Sequence, residues 1–252
     1  ENPVFTPEML LSQKRAMGSN AFAALYQGLP TAAEGSIIKP GWLHRVFPEE
    51  APTEFDITYL AMDTAFSEKQ EADESVIAVM GYRKDEPDII WVREIVHGRW
   101  SFPDLLAMVE QTQLYYRAKF MCIEQAASGQ SLIQILERET QISLHKFKPL
   151  KSKTIRLQTV APLFEAGRVK FIEGAWTSDF FKEVTQFPHV IHDDWTDAVV
   201  WGLTHYLFSM DGGGADYADA FARLGRGAGR ASLFGEFTEI SKEHNRRSQG
   251  RK

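Results

Sequence analysis

Ile57-Thr58-Tyr59-Leu60-Ala61-Met62-Asp63 is the stretch from which the architecture of this chain is inferred. Its β-branched, aromatic and apolar residues predict a β-strand that ends at an acidic side chain. Further strands are predicted at 75–80 and 88–96. The connections between these strands are polar or turn-like, which favours antiparallel pairing. The regular part of the chain therefore opens with three antiparallel strands.

Helices and strands alternate after this point. A helix capped by Ser101 precedes a strand at 120–123, which ends at Glu124. The remaining predicted elements are a helix around 132–136, a strand at 142–147, a helix at 154–165, a short edge strand at 168–172, a helix capped by Thr177 or Ser178 that runs through Phe187, and a last helix from about 194 to about 208. This order is that of the ribonuclease H-like fold, an α/β fold whose mixed central sheet has three antiparallel strands, then parallel strands, and flanking helices.

Composition indicates an ordinary globular protein with no membrane span. The chain has 252 residues, of which 44% are hydrophobic and 25% charged, and no apolar run has the roughly 18 to 20 residues needed to cross a bilayer. We predict a connecting segment at 1–50, the main domain at 51–210 and a flexible tail rich in glycine and arginine at 211–252. The absent initiator methionine suggests a portion of something longer.

The single cysteine, Cys122, excludes a disulfide within the chain and a cysteine-rich zinc site. Cys122 lies in an apolar run, and we interpret it as a small buried hydrophobic residue. The net charge of -6 is unusual for a protein that only clamps nucleic acid. It is compatible with carboxylates gathered to hold cations, and equally with an acidic solvated surface.

Acidic residues stand at three places where predicted elements begin or end. Asp63 follows the first strand, Glu124 the fourth, and the last helix begins with three aspartates, Asp193, Asp194 and Asp197. If the first and fourth strands are neighbours, as in the ribonuclease H-like fold, the three places converge. Such carboxylates would repel one another without cations, and their oxygen atoms suit Mg²⁺ or Mn²⁺. Each residue could instead be an ordinary turn or cap residue.

Five stretches contain or accompany the acidic positions: Tyr59-Leu60-Ala61-Met62-Asp63-Thr64-Ala65, Phe120-Met121-Cys122-Ile123-Glu124, His192-Asp193-Asp194-Trp195-Thr196-Asp197-Ala198, Lys153-Thr154-Ile155-Arg156 and Leu163-Phe164-Glu165-Ala166-Gly167-Arg168-Val169. They resemble the C-terminal nuclease domain of the large terminase subunit of tailed bacteriophages. Upstream, the stretches 22–30 and 34–38 are similar to the segment that joins the ATPase and nuclease parts of that family. The combination is more specific than any one acidic motif.

The resemblance implies a two-metal endonuclease that cuts concatemeric double-stranded viral DNA during genome packaging, in the cytoplasm of the host. By this match Asp63, Glu124 and Asp194 are the leading catalytic metal ligands, with Asp193 and Asp197 as candidates for the remaining coordination of two Mg²⁺ or Mn²⁺ ions. The implied partners are DNA, the ATPase portion, the small terminase subunit and the capsid portal.

One departure from that family concerns ATP. A phosphate-binding loop would need Gly-Lys-Ser or Gly-Lys-Thr, and the chain contains neither. We therefore expect no ATP hydrolysis by this route, and expect the chain to be a nuclease portion separated from an ATPase.

Lys153 and Arg156 lie in a basic stretch after the fifth predicted strand, and we expect them to contact the DNA backbone. A solvated charged loop is the alternative. Two further functions remain open. The chain could be another ribonuclease H-like nuclease, such as a junction resolvase, a transposase or a ribonuclease H, or a DNA-binding or docking module without catalysis.

Overall fold

The structure is a computed structural model that describes residues 6–26, 36–63, 74–125, 130–148 and 152–209. The predicted tail at 211–252, and residues 27–30 and 34–35 of the upstream stretches at 22–30 and 34–38, lie outside these residues. The chain divides into two compact units. One comprises Ser36–His205, and the other combines the residues up to Gly35 with those from Tyr206 onward.

The larger unit is built on seven strands. A short 3-10 helix at Pro40–Trp42 precedes them. The strands are β1 (His44–Val46), β2 (Ile57–Met62), β3 (Ser75–Tyr82), β4 (Ile90–Gly98), β5 (Phe120–Glu124), β6 (Ser143–Phe147) and β7 (Val169–Ile172). The helices of this unit are α2 (Phe102–Tyr116), α3 (Gln130–Glu139), α4 (Lys153–Glu165), α5 (Thr177–Gln186) and α6 (Asp194–Ser209). The last four residues of α6 are assigned to the smaller unit, to which α1 (Pro7–Tyr26) also belongs.

The strands form one mixed sheet in the order β1-β7-β4-β3-β2-β5-β6. β2, β3 and β4 pair antiparallel in sequence. β5 pairs parallel with β2, β6 parallel with β5, and β7 parallel with both β4 and β1. Three antiparallel strands followed by parallel strands, with helices alongside, confirm the predicted fold class.

One strand does not take its predicted place. The stretch 168–172 was expected to form an edge strand, and this is wrong, because β7 lies between β4 and β1. The edge position belongs to β1, which lies inside the segment at 1–50 that was expected to be a linker. Only three residues long and mostly exposed, β1 lacks the apolar alternation by which a strand is recognised in a sequence.

The start of α5 also differs from expectation. Neither Thr177 nor Ser178 caps this helix, because the preceding residue, Trp176, occupies the cap position and makes no side-chain cap hydrogen bond. Thr177 is instead the first helical residue, and its hydroxyl accepts a hydrogen bond of 2.8 Å from the amide of Gly174. The cap predicted at Ser101 is present, since its side chain accepts from the amide of Asp104.

Apolar residues on the two faces of the sheet pack against different helices. On one face Leu60 and Met62 of β2 join a buried cluster that includes Leu105 of α2 and Leu136 of α3. Successive strand residues point to opposite faces, so Tyr59 and Ala61 point the other way, toward α6. The hydroxyl of Tyr59 donates a hydrogen bond of 2.9 Å to the carbonyl of Gly202 in that helix.

Gly202 allows α6 to lie close against the sheet. A Cβ atom added at this position would overlap the sulfur of Met80 and would stand 3.2 Å from the Cβ of Ala61. A side chain here would therefore push the helix away from β2 and β3.

In the smaller unit the structure describes α1 and the last turn of α6. α1 is interrupted at Gly18, whose φ of 80° lies outside the helical region and is readily adopted only by glycine. None of the described helices has the length and the apolarity that crossing a membrane requires.

Candidate active site

The parallel pairing of β2 and β5 brings Asp63 and Glu124 together. Met62 is in register with Ile123, so the next residue of each strand leaves the sheet at the same edge. Both acidic residues share the strand face of Ala61 and Cys122, because their positions have the same parity. This is the face on which α6 lies. The sequence-based expectation that these two carboxylates emerge side by side is therefore matched by the register of the sheet.

The first turn of α6 adds the third acidic position. Asp197 is 2% exposed, and Glu124 is 9% exposed. One turn further along the same helix face, the indole Nε1 of Trp201 donates a hydrogen bond of 2.9 Å to Oε2 of Glu124. Residues four apart lie on one side of a helix, so α6 presents Asp197 and Trp201 together toward β5.

Arg156 of α4 joins the carboxylates from the two elements. Its Nη2 lies 3.0 Å from Oδ1 of Asp197, and its Nη1 lies 3.5 Å from Oε2 of Glu124. Its guanidinium also stands over the ring of Trp201, 4.4 Å from the centroid. Arg156 is 3% exposed, so its guanidinium interacts with protein groups and hardly at all with solvent. A buried arginine of this kind fixes the distance between two carboxylates.

Lys153, one turn earlier in α4, bridges two aspartates. Its Nζ lies 2.6 Å from Oδ1 of Asp193 and 2.5 Å from Oδ2 of Asp197. Although burial alone would lower it, the neighbouring carboxylates raise the pKa of Lys153 above its usual range. The side chain of Lys153 is 41% exposed. Solvent therefore has access to Lys153, whereas Arg156 is buried.

The pKa of Asp63 shows that negative charge accumulates at this edge of the sheet. Burial above all, and then the charges of Asp197 and Glu124, raise this pKa from 3.8 to about 7, although Lys153 and Arg156 act to lower it. A carboxyl whose ionisation is opposed by two carboxylates is short of positive charge. The two basic side chains therefore do not neutralise the cluster completely.

The donor set fits hard divalent cations in chemistry. Carboxylate oxygens are the preferred ligands of Mg²⁺ and Mn²⁺, and Asp63, Glu124 and Asp197 supply them from three elements of the fold. Among the residues that the structure describes, no three His, Cys, Asp or Glu side chains stand close enough together to hold one ion as they are placed. Lys153 and Arg156 are paired with these oxygens, so an ion would have to exchange with at least one of these partners.

Asp194 has a different set of neighbours. Burial raises its pKa, and its charged neighbours are Lys153, Asp193, His192 and Asp197. The residue that couples to Asp63 and shares Arg156 with Glu124 is Asp197 instead. The structure thus groups Asp63, Glu124 and Asp197 together, with Asp193 attached through Lys153 and Asp194 beside them.

Two glutamates from other parts of the fold form hydrogen bonds with the first turn of α6. On one side Oε1 of Glu183 in α5 accepts hydrogen bonds of 2.6 Å from both the amide and the hydroxyl of Thr196. On the other side Oε2 of Glu74 accepts one of 3.0 Å from the indole of Trp195, and Oε1 of Glu74 lies 2.7 Å from Nδ1 of His97. The turn that carries the aspartates is therefore fixed against α5 and against the ends of β3 and β4.

Sequence reasoning singled out Lys153 and Arg156, as DNA contacts, but missed the other partners of the acidic residues. Trp201 could have been found, because it follows Asp197 by one helical turn and therefore shares its face. Glu183 and Glu74 carry no local signal, because their contacts with α6 depend on how distant elements pack.

Comparison with known proteins supports this fold. Residues 60–205 match the family described as the terminase RNaseH-like domain. This match covers more than half of the chain and all the acidic positions discussed above. The chain belongs to the terminase RNaseH-like domain family, which confirms the resemblance found in its sequence.

Solved structures of large terminases share the fold. The large terminase of a thermophilic bacteriophage, solved as a longer chain, aligns with a TM-score of 0.64 and 13% identity over 82% of this chain and 54% of its own. The large terminase nuclease of thermophilic phage G20c with bound zinc aligns with a TM-score of 0.52 and 18% identity over 68% of this chain and 98% of its own. The large terminase nuclease domain of Thermus phage P74-26 aligns with a TM-score of 0.51 and 16% identity over 68% of this chain and 95% of its own.

The present chain thus spans about half the length of the first of these terminases. None of the curated proteins shows significant sequence similarity to it.

Proposed function

We propose that this chain is a metal-dependent endonuclease that hydrolyses phosphodiester bonds of double-stranded DNA at the carboxylates of β2, β5 and α6. The observation that carries the proposal is the cluster of Asp63, Glu124 and Asp197. These residues come from three distant segments, and the negative charges of the other two oppose the ionisation of Asp63. Carboxylates placed close together repel one another and destabilise the folded protein unless bound cations compensate their charge.

The comparisons support the proposal from outside the chain. The solved relatives that this chain covers almost completely are named large terminase nucleases, and one of them was solved with bound zinc. A divalent cation site in a relative of the same fold agrees with a divalent cation site here. The oxygen-rich donor set of this chain favours Mg²⁺ or Mn²⁺ over zinc.

We assign Asp63, Glu124 and Asp197 as the principal ligands, and Asp193 as a candidate for the remaining coordination. The resemblance placed Asp194 ahead of Asp197. The ion pairs favour Asp197, because Arg156 links it directly to Glu124. Asp194 would then act on the site by its charge.

Two divalent ions bound there would activate the attacking water and stabilise the leaving oxygen of the phosphodiester. The work of the chain is to hold the carboxylates in place. Arg156 keeps Glu124 and Asp197 at a fixed separation, and its 3% exposure favours this role over the DNA contact expected from sequence. Lys153 is accessible enough to exchange its aspartate partners for a DNA phosphate, so for Lys153 the expected DNA contact remains our proposal.

The larger context is proposed as well. The chain would act as the nuclease part of a terminase large subunit, on concatemeric viral DNA in the host cytoplasm. An ATPase part, a small subunit and the capsid portal would be its partners. The proposed hydrolysis of a phosphodiester depends on the carboxylate cluster and does not require these protein partners.

A plasmid-nicking assay tests the central claim. Supercoiled plasmid is incubated with the wild-type chain and Mg²⁺, Mn²⁺ or EDTA, and with the variants Asp63→Ala, Asp197→Asn and Asp194→Asn. We expect cutting only with a divalent ion, a loss of at least about a hundredfold in D63A and D197N, and a smaller loss in D194N. Asp88→Ala is the matched control, because its carboxylate is 80% exposed and pairs with Arg168 at the surface.

Folded wild-type protein that leaves the plasmid intact under both metals would contradict the proposal. Equal cutting by D63A and the wild type would do the same. A loss in D194N that exceeds the loss in D197N would return Asp194 to the principal place among the ligands. Branched DNA and an RNA–DNA hybrid, tested beside the plasmid, separate this activity from those of a resolvase and a ribonuclease H.

A further inference from the structure

We propose that Glu183 is a positioning residue of this site: it caps α6 from the neighbouring helix α5 and thereby releases the carboxylate of Asp193 toward Lys153. The meaning of this role for catalysis rests on the proposed function. The arrangement itself follows from the hydrogen bonds of the first turn of α6.

The first amides of a helix lack partners within the helix. The residue just before the helix commonly supplies an acceptor to the third helical amide through its own side chain, and aspartate is among the best residues for this purpose. α6 begins at Asp194, so Asp193 stands at the cap position and Thr196 carries the third amide. The carbonyl of Asp193 accepts the first helical bond, 3.0 Å from the amide of Asp197, as expected of a cap residue.

The side chain of Asp193 does not complete the cap. Its Oδ1 lies 2.6 Å from Nζ of Lys153. The amide of Thr196 instead donates to Oε1 of Glu183, at 2.6 Å, and the hydroxyl of Thr196 donates to the same oxygen at 2.6 Å. The bond that an aspartate cap would normally make has therefore been transferred to a glutamate of another helix.

The capping oxygen is held in place by the packing of α5. Phe180 and Val184, on either side of Glu183 in that helix, are 0% and 1% exposed. The Glu183 carboxylate therefore approaches α6 from a fixed position. Burial first, and then the like charges of Asp194 and Asp193, raise the pKa of Glu183 above its ordinary value. A cap made by Asp193 itself would avoid bringing in this extra carboxylate, so stabilising the helix does not by itself account for Glu183.

Removal of the Glu183 acceptor should return Asp193 to its local role. Its carboxylate would turn to the amide of Thr196, and Lys153 would lose one of its two carboxylate partners. Asp197 would then hold Lys153 alone, and the donor set that faces Asp63 would change. Glu183 thus acts on the reacting centre only through the orientation of the aspartates.

The test compares Glu183→Ala with Glu183→Gln, whose side-chain oxygen can still accept both bonds from Thr196. Asp179→Ala is the matched control, since it removes an exposed carboxylate from the same helix. In metal-free protein, hydrogen exchange reports the Thr196 amide, and acylation followed by mass spectrometry reports the reactivity of Lys153. We expect E183A to accelerate both by about fivefold, the factor that loss of a typical cap represents, and E183Q and D179A to stay within about twofold of the wild type.

Two further readouts connect the cap to the site. Calorimetric titration with Mn²⁺ should show affinity weakened about tenfold in E183A and restored in E183Q, which corresponds to about 1.4 kcal/mol. On plasmid, kcat should fall in E183A while KM does not rise, because Lys153 loses a carboxylate partner and stays available to a DNA phosphate. A purely structural role would lower the thermal midpoint in E183A without this divergence of kcat from KM.

The inference is overturned if E183A leaves the exchange of Thr196 and the labelling of Lys153 unchanged, or if E183Q behaves like E183A. The second outcome would mean that the charge of Glu183 matters and its acceptor geometry does not. If E183A does not fold, the test uses E183Q alone: exchange of the Thr196 amide or labelling of Lys153 that differs more than about twofold from the wild type would overturn the inference. Wild-type protein that fails to bind Mn²⁺ or to cut DNA would contradict the proposed function, while the metal-free measurements would still decide the role of Glu183.

Discussion

Arg156 and Asp197 form an ion pair of 3.0 Å in which both side chains are almost completely buried, 4% and 2% exposed. The same guanidinium reaches Glu124 at 3.5 Å. One arginine therefore balances two carboxylates that belong to different elements of the fold. Removing a partner from a buried pair leaves uncompensated charge in the interior, which is far more costly than losing a surface pair.

Arg156→Met should therefore destabilise the metal-free protein by about 3 to 5 kcal/mol. Divalent cations should restore part of this loss, because they would replace the missing positive charge between Glu124 and Asp197. Urea denaturation in EDTA and in Mn²⁺ measures both effects. The control is Arg138→Met, whose partner Glu139 and own side chain are exposed, so its effect should be below about 1 kcal/mol. A similar cost for both variants would contradict the assigned role.

Lys153→Met should strengthen the binding of Mn²⁺ and weaken the binding of DNA. The ammonium group occupies oxygens of Asp193 and Asp197 that a cation would use, so its removal should lower the Kd for Mn²⁺ by several fold. Loss of one phosphate contact should reduce the salt slope of DNA binding by about one unit.

Calorimetry and fluorescence anisotropy against salt concentration provide the two measurements for this lysine. Lys146→Met is the matched control, because Lys146 pairs with Glu137 away from the aspartates. Weaker Mn²⁺ binding in K153M would show that the lysine organises the ligands and does not compete for them.

Asp63→Asn should stabilise the metal-free protein at alkaline pH. Burial and two carboxylates raise the pKa of Asp63 from 3.8 to about 7 in the folded state. The folded state therefore holds this proton more tightly than the unfolded state, and the stability of the wild type falls as the pH rises from about 4 to about 7. The variant lacks this loss and should be more stable at pH 8 by about 1 to 3 kcal/mol.

Thermal unfolding in EDTA between pH 3.5 and 8 provides the test of this titration. The two proteins should converge below about pH 4, where the carboxyl is protonated in both states. A constant difference across this range would mean that Asp63 does not titrate as described.

Gly202→Ala should destabilise the larger unit by about 1 to 3 kcal/mol, the cost of overpacking a core. The added methyl group would overlap the sulfur of Met80 and approach Ala61, and so would lift α6 from β2. Chemical denaturation measures the loss. Gly41→Ala is the control, because nothing lies within 4 Å of the Cβ position there. Equal stability of the two variants would contradict the close packing of α6.

The strand-borne half of the site could be predicted from sequence. A strand ending at Asp63 and another ending at Glu124 become neighbours once the order of elements indicates the fold, and the period of two in a strand settles which face they share. Both inferences use local patterns and one topological rule. The same reasoning failed for β1, because three mostly exposed residues give no periodic signal.

The helix-borne half could not be predicted in the same way. Asp193, Asp194 and Asp197 all lie within one turn, and which of them approaches Asp63 depends on how α6 rotates against the sheet. That rotation is set by contacts such as those of Tyr59 with Gly202. The burial of Arg156 has the same origin, since nothing in its local sequence distinguishes it from a solvated arginine.

Trp201 gives the site an optical reporter of its own. Its indole donates to Glu124 and lies under the guanidinium of Arg156, and it is 1% exposed. The emission of an indole responds to nearby charge and to its hydrogen-bond partner, so a change of cations at the neighbouring carboxylates would alter its fluorescence. Spectra of the wild type and of Trp201→Phe, recorded side by side, would isolate this signal and follow the filling of the site in real time without any attached label.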